Sequence, residues 1–167
     1  AEEVVAMMLA DARHLIAADG SCRSGEWEKK KFMGREISGK TVGIVGLGNI
    51  GQLVAKRLEG FECKLLGYDP VISKEKAEDL NVQLVELDGI FSESDIVTLH
   101  LPENKDTKKM INSGLLGKMK KGATLINCAR AGVIDEEALR QAKKEKGLKF
   151  LNDVYSKDEA GPKSVSD

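Results

Sequence analysis

The tightest constraint on the fold lies in residues 41–70, where "TVGIVGLGNIGQLVAKRLEG" is followed by "CKLLGYDP". A short β-branched run leads into three glycines spaced Gly46-x-Gly48-x-x-Gly51. Ile50, Leu53, Val54 and Leu58 then recur at helical spacing, and a second apolar run ends at Asp69. In this strand–glycine–helix context each glycine has a task. The first permits a tight turn, the second lets backbone approach a pyrophosphate, and the third lets helix pack on strand. A pyrophosphate would face the N–H groups near Asn49 and Ile50, at the positive end of the helix. Asp69 stands where a carboxylate accepts hydrogen bonds from both adenosine ribose hydroxyls and repels a 2′-phosphate. The next residues, Pro70, Val71 and Ile72, offer no arginine to receive that phosphate. The pattern predicts NAD rather than NADP.

A second phosphate pattern overlaps the first. Gly34 to Thr41, "GREISGKT", fits the triphosphate loop G-x-x-x-x-G-K-[ST]. That loop needs a strand before it and a helix starting at its Lys-Thr. Here "EKKKFM" precedes it and "VGIVGLG" follows, so the context fails on both sides. Gly39-Lys40 reads more simply as the turn into the first strand.

Apolar strand-like runs alternate with helical ones along the rest of the chain. After the two above come "VQLV" (82–85), "SDIVTLHLP" (94–102), "ATLINCAR" (123–130) and "LKFLNDVY" (148–155). "NSGLLGKMKKG" predicts a short helix capped by Asn112 or Ser113. "DEEALRQAKKEKG" predicts one with Asp135 at its N-cap, acids in the first turn, lysines in the last and Gly147 beyond. Continuous apolar strands separated by helices imply a doubly wound α/β domain, its parallel sheet buried on both faces. Ahead of it, Val5, Leu9, Ala12 and Ile16 share one face of a helix that Gly20 should stop.

With 167 residues there is one ordinary core, and a net charge of −1 gives no electrostatic case for nucleic acid or a membrane surface. The lysine clusters at 29–31, 118–121 and 143–146 read as solvated faces. Three cysteines, Cys22, Cys63 and Cys128, form no paired metal motif. No metal site is expected, and buried free thiols at Cys63 and Cys128 suit a reducing compartment, with cytosol as the default. No run approaches the length of a membrane span.

The stretch "KMKKGATLINCARAGVIDEEAL" (118–139) resembles the signature around the catalytic arginine of the D-isomer-specific 2-hydroxyacid dehydrogenases. "WEKKKFMGREISGKTVGIVGLGNIG" (27–51) and "GYDP" (67–70) are most similar to that family's phosphoglycerate-oxidising members. The resemblance covers essentially the whole chain. It implies an NAD-dependent oxidoreductase acting on a small 2-hydroxy acid in serine biosynthesis. Glyoxylate, hydroxypyruvate and lactate are alternative substrates within the family. An NAD-sensing binding protein, like the corepressors that share the fold, is the alternative of another class.

Carried over by resemblance, Arg130 would hold the substrate carboxylate and the reacting oxygen, which suits a planar, permanently charged fork. Leu101, Cys128 and Ala129 would line the nicotinamide side, and Asp153 would contact the nicotinamide amide. A Glu that supports the general-base histidine falls at Glu159 counting from Arg130, or at Asp158 counting from Asp153. The phosphoglycerate members more often carry Thr where Leu101 sits, and Ala131 replaces their usual Gly. His14 and His100 do not match the base histidine, which is expected beyond Asp167. The family inserts its cofactor domain into a substrate domain, so residues 1–167 are expected to form the dinucleotide-binding domain alone. Residues 1–20 would lead into it and 156–167 would return toward the absent half. The family dimerises through this domain, and the apolar face of the first helix suits either a homodimer contact or packing on its own sheet.

Overall fold

A computed structural model describes residues 1–155. Six parallel strands form one sheet: β1 (Thr41–Val45), β2 (Lys64–Tyr68), β3 (Val82–Leu84), β4 (Ile96–Leu99), β5 (Thr124–Asn127) and β6 (Lys149–Asn152). Their order is β3-β2-β1-β4-β5-β6. The helices are α1 (Glu2–Ala12), α2 (Leu15–Arg23), α3 (Asn49–Leu58), α4 (Lys74–Asp79), α5 (Leu87–Glu93), α6 (Ser113–Lys118) and α7 (Glu136–Lys146).

The strands read as unbroken apolar runs because successive side chains enter different cores. Leu66, Val97, Leu99 and Leu125 pack with Ile90 and Phe91 of α5, Leu116 of α6 and Leu139 of α7. Leu65, Val42, Ile44, Ile96 and Ile126 pack on the opposite face with Val4 and Met8 of α1 and Val54, Ala55 and Leu58 of α3. Most of these side chains are fully buried, and each contributes about 1.5–3 kcal/mol relative to exposure. The doubly wound α/β prediction holds.

The capping predictions also hold. Asn112 Oδ1 accepts from Leu115 N–H at 3.1 Å, and Asp135 Oδ1 accepts from Ala138 N–H at 3.2 Å. Gly147 ends α7 with φ 62°. Gly39, at φ 71°, turns the chain into β1, and Thr41 starts a strand, so the triphosphate-loop reading of 34–41 fails on geometry.

The amino-terminal helix differs from its prediction. It breaks at His14, whose φ is 53°, and a second helix runs past Gly20 to Arg23. The buried face is Val4, Met8 and Ala12; of the predicted stripe only Ala12 is buried, Val5 and Leu9 are partly buried and Ile16 is 82% exposed. The connector supplies the reason. Arg35 N–H donates to Ala12 O at 2.9 Å, and Gly34 lies so close that a Cβ there would meet Ala12 O at 2.7 Å. A helix end taken by another segment cannot be continued, and periodicity within residues 1–20 carries no trace of that segment.

Candidate functional site

The order of strands reverses between β1 and β4, and the crevice at their carboxyl ends is where doubly wound sheets take ligands. The glycine loop follows β1. Gly46 adopts φ 93°, and a Cβ there would lie 2.5 Å from His100 O. Around Gly48 nothing lies within 4 Å of where a Cβ would stand, so this side of the loop is open to a ligand. Gly51 presses its Cα against Gly46 O and lets α3 start directly behind the turn. No side chain caps α3, whose first-turn N–H groups at Asn49 and Ile50 stay available to an anion. The geometry fits a dinucleotide pyrophosphate.

Asp69 follows β2 and is already engaged. Its Oδ2 accepts from Leu47 N–H at 2.7 Å, while Oδ1 accepts from Val71 N–H at 2.8 Å and Ile72 N–H at 3.1 Å. Each carboxylate oxygen carries two lone pairs, so Oδ1 is filled by its two N–H donors and one acceptor position remains, on Oδ2, for a ribose hydroxyl.

Beyond β5 the chain bends through Cys128 and Ala129 to Arg130. The bend is built on Asn127, which is 1% exposed. Its Oδ1 accepts from Ala129 N–H at 3.0 Å, and its Nδ2 donates to Arg130 O at 3.0 Å. Arg130 is exposed, and its Nη1 donates to Ala129 O at 2.7 Å. Among the described residues its guanidinium meets no carboxylate. Asp153 enters the same edge, its N–H donating to Asn127 O at 3.1 Å. Leu101 is buried against Gly46, so its side chain supports the loop from behind.

Cys63 and Cys128 are half-buried rather than fully buried; Cys63 stands just before β2 and Cys128 just after β5, each packed against the edge of the core. Burial first, then the nearby Asp153 and Glu3 carboxylates, push the Cys128 thiol up to about 11. A thiol raised in this way stays protonated at physiological pH and is a poor nucleophile.

His100 lies just past β4 instead of within it, because the ladder to β5 ends at Leu99. Its Nε2 is 2.9 Å from Thr98 Oγ1. Burial lowers its pKa to about 4. The folded chain therefore binds fewer protons than the unfolded chain between about pH 4 and pH 6.5. Stability is full above that window and falls on acidification through it. The thermal midpoint should drop between pH 7 and pH 5 in the native chain and drop less in His100→Gln. Equal drops in both would assign the acid sensitivity to other groups.

Three sets of residues thus meet at one edge: the Gly46–Gly51 loop with Asp69, the Cys128–Arg130 bend, and Leu101 with Asp153. Asp158 and Glu159 lie outside the described residues. Residues 5–165 match the D-isomer specific 2-hydroxyacid dehydrogenase family's NAD-binding domain. The chain belongs to this family. It is 46% identical over 163 residues to D-3-phosphoglycerate dehydrogenase of Archaeoglobus fulgidus, covering 97% of this chain and 31% of that protein. Hydroxypyruvate reductase of Thermotoga maritima is 48% identical over 139 residues, covering 83% of this chain and 44% of that protein. The D-lactate dehydrogenase of Aquifex aeolicus, solved with NAD and lactic acid, superimposes with a TM-score of 0.86 at 31% identity. That match covers 93% of this chain and 47% of the other. The chain therefore spans less than half the length of each of these relatives, and the part it spans is the NAD-binding domain.

Asn127 and Gln52 were not singled out from the sequence. "LINCAR" shows an Asn at a strand end but not that its amide faces the following bend, and Gln52 reads as one more polar helix position. A polar residue closing an apolar run was the available signal for Asn127.

Proposed function

We propose that this chain is the cofactor domain of an NAD-dependent dehydrogenase that oxidises the 2-hydroxyl of D-3-phosphoglycerate. The observation that carries the dehydrogenase reading is Arg130, a guanidinium without a carboxylate partner among the described residues, at the same carboxyl edge of the sheet as an open glycine loop. Such a fork binds a substrate carboxylate bidentately and holds the 2-oxygen next to the nicotinamide. Cys128, Ala129 and Asp153 shape and anchor the nicotinamide side, with Leu101 backing the glycine loop beside it. NAD bound here would supply the hydride acceptor. The proton acceptor is a different matter: His100 is buried and bonded to Thr98, and His14 sits at the α1–α2 bend. Neither can serve, so the reaction needs a base from outside residues 1–155, with Glu159 or Asp158 as its carboxylate support.

The choice of 3-phosphoglycerate, and with it a place in serine biosynthesis, rests on the naming of the Archaeoglobus relative. Hydroxypyruvate is the second reading, favoured by the Thermotoga relative. Leu15 and Ile16 are 54% and 82% exposed beside an open groove of about 400 Å³ between α1, α2 and the β6 edge. That apolar surface supports a homodimer formed through this domain. No helix among the described residues is long and apolar enough to cross a membrane, and a cytosolic location completes the proposal.

Two experiments test it. Calorimetric titration of the chain should give NAD binding with NADP at least about tenfold weaker, a gap of about 1.4 kcal/mol, and no turnover of 3-phosphoglycerate. Transplanted in place of the cofactor domain of the Archaeoglobus enzyme, the domain should support 3-phosphoglycerate oxidation. Arg130→Ala should then reduce it by roughly a hundredfold. A chimaera that binds NAD but oxidises only glycerate or lactate would overturn the substrate reading.

A further inference from the structure

The glycine loop is held at one residue from three directions. Leu47 N–H is taken by Asp69 Oδ2 at 2.7 Å. Leu47 O accepts from Gln52 Nε2 at 2.8 Å. The Leu47 side chain is 2% exposed and lies over Gly67 of β2, where a Cβ would meet its Cδ1 at 2.7 Å. A buried side chain, a donor and an acceptor on one residue leave the preceding turn and the following N–H groups little freedom. Those N–H groups, at Gly48, Asn49 and Ile50, are the ones that face the open side. A site that is already shaped before the ligand arrives spends less of its binding free energy on ordering.

Two of the three restraints come from residues with other tasks, since Asp69 belongs to the ribose end and Leu47 to the core. Among the described residues the Gln52 side chain has no other hydrogen-bond partner: half-buried near the start of α3, it reaches back five residues to a single carbonyl. We infer that Gln52 is a positioning residue, whose amide locks the Leu47 carbonyl and thereby pre-shapes the pyrophosphate cradle at Gly48–Ile50. The inference rests on the NAD reading of this loop and adds a residue to it that touches no part of the cofactor.

Gln52→Met keeps the length and helix propensity of the side chain and removes the donor. It should weaken NAD binding by roughly three- to tenfold, the range of one lost hydrogen bond. Affinity for adenosine, which has no phosphate to place, should stay within about twofold, and the thermal midpoint should fall by no more than roughly 2–6 °C. Gln52→Glu turns a carboxylate toward the carbonyl and should weaken NAD further, although an acid in the first turn favours the helix itself. Calorimetry with NAD and NMR titration with adenosine give both numbers for each variant. Unchanged NAD affinity in Gln52→Met, or NAD and adenosine falling together, would overturn the inference while leaving the NAD site standing. Failure of the native chain to bind NAD would remove both.

Discussion

Gly51→Ala is expected to destabilise the domain by about 3 kcal/mol and to abolish measurable NAD binding. An added Cβ would fall inside contact distance of Gly46 O, and the obstacle is backbone rather than a side chain that can swing away. Gly46 cannot retreat, because its own Cα is backed by His100 O and its N–H is fixed to Tyr68 O at 2.8 Å. The relief must come from α3, whose Val54, Ala55 and Leu58 are buried at 0% exposure. Alanine also gains about 1 kcal/mol of helix propensity over glycine. That gain is smaller than the strain, so the net effect is destabilising. Chemical denaturation and NAD titration check it. A variant with native stability and NAD affinity within threefold would mean that the loop and α3 slide apart more freely than their packing implies.

The fold was legible because its elements repeat a simple conflict-free pattern. Val42, Ile44, Val97, Leu99, Leu125 and Ile126 are apolar at every position because both sheet faces are covered, and the glycine loop carries its own geometric requirements in its spacing. The short helices α4 and α5 were not legible, since six or seven residues give too few turns for a 3.6-residue period to emerge; α6, as short, was read from its capping Asn112 instead. The break at His14 was invisible for another reason: its cause is Gly34 and Arg35, twenty residues away. The same holds in the site. Gly46, Gly48, Gly51 and Asp69 could be placed because strand, turn and helix lie in sequence around them. Asn127 and Gln52 act through side-chain hydrogen bonds to backbone groups, two for Asn127 and one for Gln52, and no composition or period records which backbone group a side-chain amide will reach. Arg130 was placed by resemblance; that no carboxylate among the described residues meets its guanidinium is a property of the folded edge alone.

Asp69→Ala is expected to weaken NAD binding by roughly thirtyfold or more without producing an NADP-binding domain. A carboxylate at this place disfavours a 2′-phosphate, so its removal alone would suggest a switch of cofactor. The structure argues otherwise, because the same carboxylate accepts three backbone N–H groups, from Leu47, Val71 and Ile72. Hydrogen bonds to a charged acceptor are worth about 1.5–3 kcal/mol, so the loop and the turn after β2 lose their shared anchor along with the ribose contact. Relief of repulsion at the ribose is thus outweighed by disorder at the pyrophosphate. Asp69→Asn separates the two effects. Its single oxygen can keep Val71 and Ile72 or Leu47, not both sets, so stability should recover in part while NAD affinity stays low. Parallel titrations with NAD and NADP, with unfolding midpoints for each variant, give the comparison. NADP affinity rising above that of the native chain in Asp69→Ala would show that the loop keeps its shape without this carboxylate, and that cofactor choice and loop architecture are separable here.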